Sequence, residues 1–370
     1  MLSVWLAATL AVGCEVISQQ PLAVGPDAEI AVVTDSATWD GSVGDAVRRS
    51  LGPYIETLPA PENMFSLVRY GINERGGFDR IQRLKNVVFV APLSDSTAEA
   101  AFLRSAFSEE ALTAIREGEG GVVGRDDPWR RMQKVYFVAA ETTSELVSTM
   151  EEAGPSMVDS FNEIARRRMT RDMFEKGRQT DLEETLMERH GFAVSVQHDY
   201  LIAADTMNFV WLRRILADSW RSLFVHYVEH GNPAELSQEW IVAHRDSLAR
   251  QHVQGNVGGW VETDTRRPIE TRQVDIGGRF GFETRGLWQM VGPDDEGNVV
   301  QFGMGGPFVT YAFYDEETSR TYVVDGMVFA PNYAKRDFVR QMEVIAYTFR
   351  TEADVSADAE DGETLAATTQ

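Results

Sequence analysis

Apolar and polar positions along the chain fall into two textures. The first opens at Glu29-Ile30-Ala31-Val32-Val33-Thr34, an apolar run of the length of a buried strand. Further strands are predicted over 65–70, 86–91 and 135–140, with helical stretches over 39–51, 78–84, 98–117 and 144–168. Asp35 or Ser36 stands where a helix cap belongs, and Gly52-Pro53 stops the first helix. Strands alternating with helices predict a layered α/β domain over 29–171. Residues 118–129, GEGGVVGRDDPW, read as a loop and lack both phosphate-cradling spacings.

After a helical connector over 172–190 the pattern changes. Strands are predicted over 192–196, 208–212 and 223–227, and Pro233 sits at the first turn of a helix reaching about 250. More strands follow near 257–263, 270–276, 279–288, 306–314 and 320–328, separated by turns such as Gly292-Pro293-Asp294-Asp295. A last helix over 335–349 carries Phe338, Met342, Ile345 and Phe349 on one face. The pattern predicts an α+β domain over 191–350, a mostly antiparallel sheet covered by helices. Residues 351–370 hold six acids and no bases, and are expected to be a disordered tail.

Length and composition fit this picture: 370 residues leave room for two cores, and 43% hydrophobic content is that of a globular chain. Charge changes it. With 57 acidic and 35 basic residues the net charge is −22, a field that repels polyphosphate. The densest basic run, Arg166-Arg167-Arg168 to Arg171, lies among Asp172, Glu175, Asp181, Glu183 and Glu184 and reads as a solvated helix with offsetting charges. Nucleic acid is therefore excluded as a partner. Lysine occurs only at 85, 134, 176 and 335, which leaves 31 of the 35 bases as arginine. A codon bias explains that more simply than a salt-tolerant host.

The chain begins MLSVWLAATLAVGC, an apolar stretch about half the length of a spanning helix and closed by Ala11-Val12-Gly13-Cys14. Small residues before a lone cysteine read as a lipoprotein signal over 1–14, cleaved before Cys14 and acylated there. Residues 15–28 are polar with Pro and Gly, as a tether should be. Glu15 after the cysteine is not an inner-membrane retention signal, so the expected location is the outer membrane. The expected partners are the membrane, through the lipid anchor, and an envelope protein or small ligand. Ala11 stands where leucine is commoner and the positive leader segment is missing.

Several local patterns, taken in order, carry a family resemblance. They are Trp39-Asp40-Gly41 with Gly44-Asp45-Ala46, Asp127-Pro128-Trp129, Asn208-Phe209-Val210-Trp211-Leu212-Arg213-Arg214, Arg285-Gly286-Leu287-Trp288, Gly305-Gly306-Pro307-Phe308-Val309 and Phe329-Ala330-Pro331. On these the chain resembles an uncharacterised lipoprotein family of Bacteroidota cell envelopes, a domain of unknown function, over about residues 29–350. The resemblance implies a lipid anchor and no known activity. The C-terminal half also resembles, in fold alone, the PsbP-like sandwich.

All six histidines lie between 190 and 252, and His226-Tyr227-Val228-Glu229-His230 spells the inverted zinc-peptidase string. That chemistry needs a helix. Leu223-Phe224-Val225 before it predicts a strand, on which the two imidazoles stand about 13 Å apart along the chain and cannot share one zinc. No Gly-x-Ser-x-Gly elbow occurs, and acid pairs such as Asp126/Asp127 and Glu183/Glu184 are expected by chance. No cofactor, catalytic residue or metal ligand is therefore assigned. Trp211, Trp288 and Phe308 are the candidate ligand groove, and Gly305-Gly306-Pro307 predicts a bulge or close backbone approach. Two readings stay open: a non-catalytic envelope protein binding a partner or ligand, and an envelope hydrolase with an unfamiliar site. Charged residues converging on the Trp211–Trp288–Phe308 cleft would favour the second.

Overall fold

The computed structural model describes residues 20–74, 76–254 and 258–357; the leader with Cys14, and the tether up to residue 19, lie outside them. The N-terminal half runs β1 (Glu29–Val33), α1 (Ser36–Asp40), α2 (Ser42–Leu51), β2 (Ser66–Tyr70), α3 (Gly77–Ile81), β3 (Asn86–Pro92), α4 (Ala98–Ala106), α5 (Glu109–Arg116), β4 (Gly121–Asp126), β5 (Lys134–Ala140) and α6 (Thr143–Phe174). Its sheet has the order β2-β1-β3-β5-β4, parallel except for β4. Central β3 is buried along its whole length, as a parallel strand covered on both faces must be. Val47, Leu51, Met157 and Phe161 of α2 and α6 cover one face; Ile81, Leu103 and Ile115 of α3, α4 and α5 cover the other.

The helix expected over 39–51 is two. Asp35 caps α1, accepting from the backbone N–H of Ala37 and Thr38 at 2.9 and 3.1 Å. The chain then turns so tightly that a Cβ on Gly44 would lie 1.8 Å from the Trp39 carbonyl oxygen, which accounts for the glycine there. Likewise the stretch 98–117 breaks at Ser108, whose hydroxyl caps α5. The 118–129 loop is corrected to contain β4, an edge strand whose mostly exposed side chains leave no alternation to detect. Residues 20–28 are not a free tether. Ala23 and Ala28 are buried, and the Ala23 and Val24 amides donate to the Arg131 and Arg83 carbonyls at 3.0 and 2.8 Å.

The expected solvated helix at 166–171 is also corrected. Arg168 is fully buried, donating to the Met132 and Lys85 carbonyls and to Asn86 Oδ1 at 2.8–3.0 Å. Burial pulls its pKa down to about 10, with Asp27 acting the other way.

The C-terminal half runs α7 (Thr180–His190), β6 (Phe192–Ala193), β7 (Leu201–Asp205), β8 (Phe209–Ile215), β9 (Trp220–Glu229), α8 (Gln238–His252), β10 (Trp260–Thr263), β11 (Glu270–Ile276), β12 (Arg279–Pro293), β13 (Val299–Asp315), β14 (Arg320–Phe329), α9 (Arg336–Ala346) and β15 (Arg350–Thr351). Pro233 begins a short 3-10 turn rather than α8 itself. The eight-stranded sheet has the order β10-β12-β13-β14-β9-β8-β7, with β11 also on β12, and every pairing is antiparallel. The fold is thus mixed α/β and α+β: a layered, largely parallel sheet, then a large antiparallel one with helices.

Period-two alternation divides the large sheet between two cores. Leu223, Val225 and Tyr227 of β9 pack with Met342 and Ile345 of α9, while Phe224 packs with Ile241 and Leu248 of α8. Residues 351–357, placed in the tail, are ordered: Thr351 pairs with Phe192, and Asp354 accepts from Arg279 at 2.7 Å. Residues 358–370 lie outside the described residues.

Candidate functional site

The α8 face of the large sheet is not fully covered. Trp211 and Arg213 project from β8, Trp220 and Ser222 from β9, Trp288 and Met290 from β12, and Met327 and Phe329 from β14. With Val253 after α8, Val261 of β10 and Met304 of β13 they line a cleft of about 220 Å³. Register sets the rows: Arg213 lies opposite Ser222 and Ser222 opposite Met327, with Trp220 opposite Phe329 one step along. Gly306 faces Trp288 across β12 and β13. A Cβ on Gly306 would meet the Val328 carbonyl oxygen at 2.0 Å, and the Trp288 Nε1–H donates to that same oxygen at 3.2 Å. This is the close approach read from Gly305-Gly306-Pro307.

The polar ends of two indoles are therefore occupied inside the fold. Trp288 donates to Val328 and Trp211 to the Ser222 hydroxyl, so both rings offer the cleft their apolar surface. Trp220 and Phe329 pack at 5.1 Å between ring centres. The remaining side-chain polarity is the Arg213 guanidinium and the Gln254 amide. Arg213 lies over the Trp211 ring at 4.8 Å, whereas the guanidinium of Arg221, 4% exposed, turns to the opposite face of the sheet, where it lies over Phe338 at 4.8 Å and donates to Gln341 of α9. Burial pushes the pKa of both down, for Arg221 with help from the charge of Arg214. The lining holds no carboxylate and no imidazole.

Of the expected groove, Trp211 and Trp288 come together here and Phe308 does not. Phe308 is buried under the Arg245 guanidinium, 4.0 Å from its ring centre, and borders a different cavity. That cavity, about 380 Å³, lies between the two halves. Its charges are largely spent on one another. Glu283 accepts from Arg285, Arg272 and the Tyr311 hydroxyl at 2.7–2.8 Å, and Arg285 also donates to Glu343 at 2.8 Å. Burial alone would raise the Glu283 pKa, but the Arg285 and Arg272 charges hold it well below the usual carboxylate range.

His226 lies within β9, on a strand, and His230 follows the strand's end with φ of 53°. The Asn208 amide nitrogen, which donates to the Tyr227 carbonyl at 3.2 Å, also donates to His226 Nε2 at 3.0 Å. The His226 proton therefore sits on Nδ1 and is donated to His244 Nε2 at 3.1 Å. Burial, then the His244 and His252 charges, lower the His226 pKa to about 4, and burial lowers that of His244. The pair is a neutral, hydrogen-bonded couple on the α8 face, with His226 buried. Among the described residues no group of three or more His, Cys, Asp or Glu is placed to hold a metal ion.

Residues 179–348 match the family model of a domain of unknown function, DUF4837. Residues 23–174 match a second domain of unknown function, DUF8532. Every strand lining the cleft falls within the first match. No curated protein matches the chain. Among solved structures, the Saccharomyces cerevisiae Ran-binding protein Mog1p is 11% identical, covering 44% of this chain and 90% of its own, with a TM-score of 0.28. A Bacteroides thetaiotaomicron structure is 12% identical over 44% of this chain and 45% of its own, with a TM-score of 0.24. Human StAR-related lipid transfer protein 5 is 9% identical over 50% of this chain and 93% of its own, with a TM-score of 0.17. Likeness this slight does not bear on function.

Proposed function

We propose that the protein is a lipid-anchored cell-envelope protein, placed in the outer membrane through Cys14, that binds a small apolar ligand in the tryptophan cleft without transforming it. The cleft itself carries this reading. Three indoles, a phenylalanine and three methionines meet around one open concavity, the mostly apolar kind of surface that small ligands occupy. Methionine thioethers let the wall adapt to an occupant's shape. The hydrolase alternative draws no support from this cleft. Its hydroxyl, on Ser222, already accepts the Trp211 N–H, and the lining includes no base to activate it.

The test uses N-phenyl-1-naphthylamine, a neutral apolar probe, against the purified chain. Saturable binding with one site per chain is expected, with quenching of tryptophan emission. Met304→Glu, at the partly exposed rim, should weaken binding about tenfold or more by placing a carboxylate against the ligand. Non-saturable binding, or binding indifferent to Met304→Glu, refutes the reading.

A further inference from the structure

The described residues begin at Gln20, six positions after Cys14, and six residues span at most about 22 Å when fully extended. An acyl chain on Cys14 therefore holds the face around Gln20 beside the bilayer. That face is the edge of the N-terminal sheet at which β1, β3 and β5 begin. Residues 20–24 lie along it: the Arg131 Nε–H donates to the Gln20 carbonyl at 2.8 Å, the Val24 N–H to the Arg83 carbonyl at 2.8 Å, and the Lys85 N–H to the Val24 carbonyl at 3.1 Å. Leu22 and Val24 are 41% and 54% exposed.

The charge of this edge runs against that of the protein. Its three segments, 20–28, 82–86 and 125–134, hold six bases and three acids in a chain of net charge −22. The acids are committed within the fold: Asp27 to Lys85 and Arg168 at 3.0 and 3.5 Å, Asp126 to Lys134 at 3.1 Å, and Asp127 to the Gln133 N–H at 2.8 Å. Arg83, Arg125, Arg130 and Arg131 have no carboxylate within ion-pair distance among the described residues. The opposite edge is the reverse. The stretches that follow β1, β3 and β5, residues 34–40, 93–99 and 141–145, hold six acids and no base. Arg69 and Arg104 offset these in part, donating to the Thr34 and Asp95 carbonyls.

We propose that the edge formed by Leu22, Val24, Arg83, Arg130 and Arg131 is the surface on which the body docks to the bilayer holding its anchor, with the arginines on lipid phosphates. This rests on acylation of Cys14 and adds which way the body stands on the membrane. Exposed aliphatic side chains flanked by unpaired guanidinium groups suit a headgroup layer: the apolar atoms reach the acyl boundary and the cations meet the phosphates. The acidic edge then points away from anionic lipid, so the uneven charge of the N-terminal half sets the orientation.

The experiment places the acylated full chain on vesicles of phosphatidylethanolamine and phosphatidylglycerol. Orientation is read from a fluorescent NBD label on one introduced cysteine, the Cys14 thiol being blocked by its acyl group. Val24→Cys reports from the docking edge and Ser144→Cys from the opposite one. A spin label on the lipid headgroups should quench the first strongly and leave the second bright. The Arg83 and Arg130 side chains make no hydrogen bond among the described residues, so Arg83→Gln with Arg130→Gln should fold as the unaltered chain does. That double variant should lower the ratio of docked to undocked bodies about thirtyfold, and high salt should act in the same direction. Equal quenching at both positions, or at neither, in chains that stay on the vesicles overturns the docking surface and leaves the anchor intact. So does quenching at residue 24 that survives the double variant. A chain with Cys14 in place that does not stay on the vesicles overturns the anchor itself, and the docking with it.

Discussion

Helix α8 reaches the cleft through Val253, and one buried ion pair joins its apolar contacts in fixing it on the sheet. Arg245 and Asp325 are both fully buried, with Nε and Oδ2 2.8 Å apart. Asp325 also accepts from the Thr310 hydroxyl at 2.6 Å, and Arg245 donates to Asp246 at 3.0 Å. Asp325→Asn keeps the shape and removes the charge, leaving a buried guanidinium with Asp246 as its remaining counter-ion. Breaking such a pair from one side costs about 3–5 kcal/mol, and the surviving Asp246 contact places this case near 3 kcal/mol. With a urea slope of about 3 kcal/mol/M, the unfolding midpoint should fall by roughly 1 M, followed by tryptophan emission and circular dichroism. Replacing both partners, Arg245→Met with Asp325→Leu, should return most of the loss, because both fully buried charges are then gone and the part-exposed Asp246 keeps the Thr263 amide and hydroxyl as donors. A loss under about 1 kcal/mol for Asp325→Asn would refute the reasoning, as would a double variant no more stable than the single one. The Asp325→Asn variant should also bind the apolar probe more weakly, since Val253 loses its fixed position.

Three further outcomes are expected. His226 has a folded pKa of about 4 against 6.5 unperturbed, so its neutral form is the native one. The stability it contributes is present above pH 6.5 and is lost as pH falls through about 4, up to about 3 kcal/mol; urea titrations should show His226→Gln flattening that part of the pH profile. Gly44→Ala should cost about 3 kcal/mol or prevent folding, because its Cβ would lie 1.8 Å from the Trp39 carbonyl oxygen; an unchanged thermal midpoint would contradict this. Cys14→Ala should abolish acyl labelling and release the protein from the membrane fraction, and equal membrane retention of both forms would end the lipid-anchor proposal.

The parts of the fold legible in the sequence are those where burial is one-sided or complete. β3 and β9 are visible because core strands must be apolar, and α9 because Met342 and Ile345 fall on one face. Edge strands escaped. β7 exposes Leu201, Ile202 and Ala203, and β4 exposes most of its side chains, so neither needs a pattern. Helix breaks escaped for another reason: the apolar periodicity runs through Ser108 and Gly41, and only the backbone turn interrupts it. The ordered stretches 20–28 and 351–357 are held by backbone hydrogen bonds and by Asp354, signals that composition does not carry.

The cleft was half legible, and the missing half is the informative one. Trp211 and Trp288 stand out by size and rarity, but Phe308 has the same apolar character and ends up under Arg245. Which aromatic faces a cavity depends on what lies opposite, and that is fixed by register: Gly306 opposite Trp288, Ser222 opposite Arg213. The cleft's arginine was hidden more deeply. Among 35 bases and 57 acids a sequence gives no reason to single out Arg213, since any arginine has a carboxylate nearby along the chain. Strand pairing decides otherwise. Adjacent Arg214 points to the opposite face of β8 and meets Asp199, while Arg213, one residue earlier, turns toward the tryptophans and meets none. A one-residue change of register would exchange their roles, so the cleft's uncompensated charge is a property of the sheet and not of the composition.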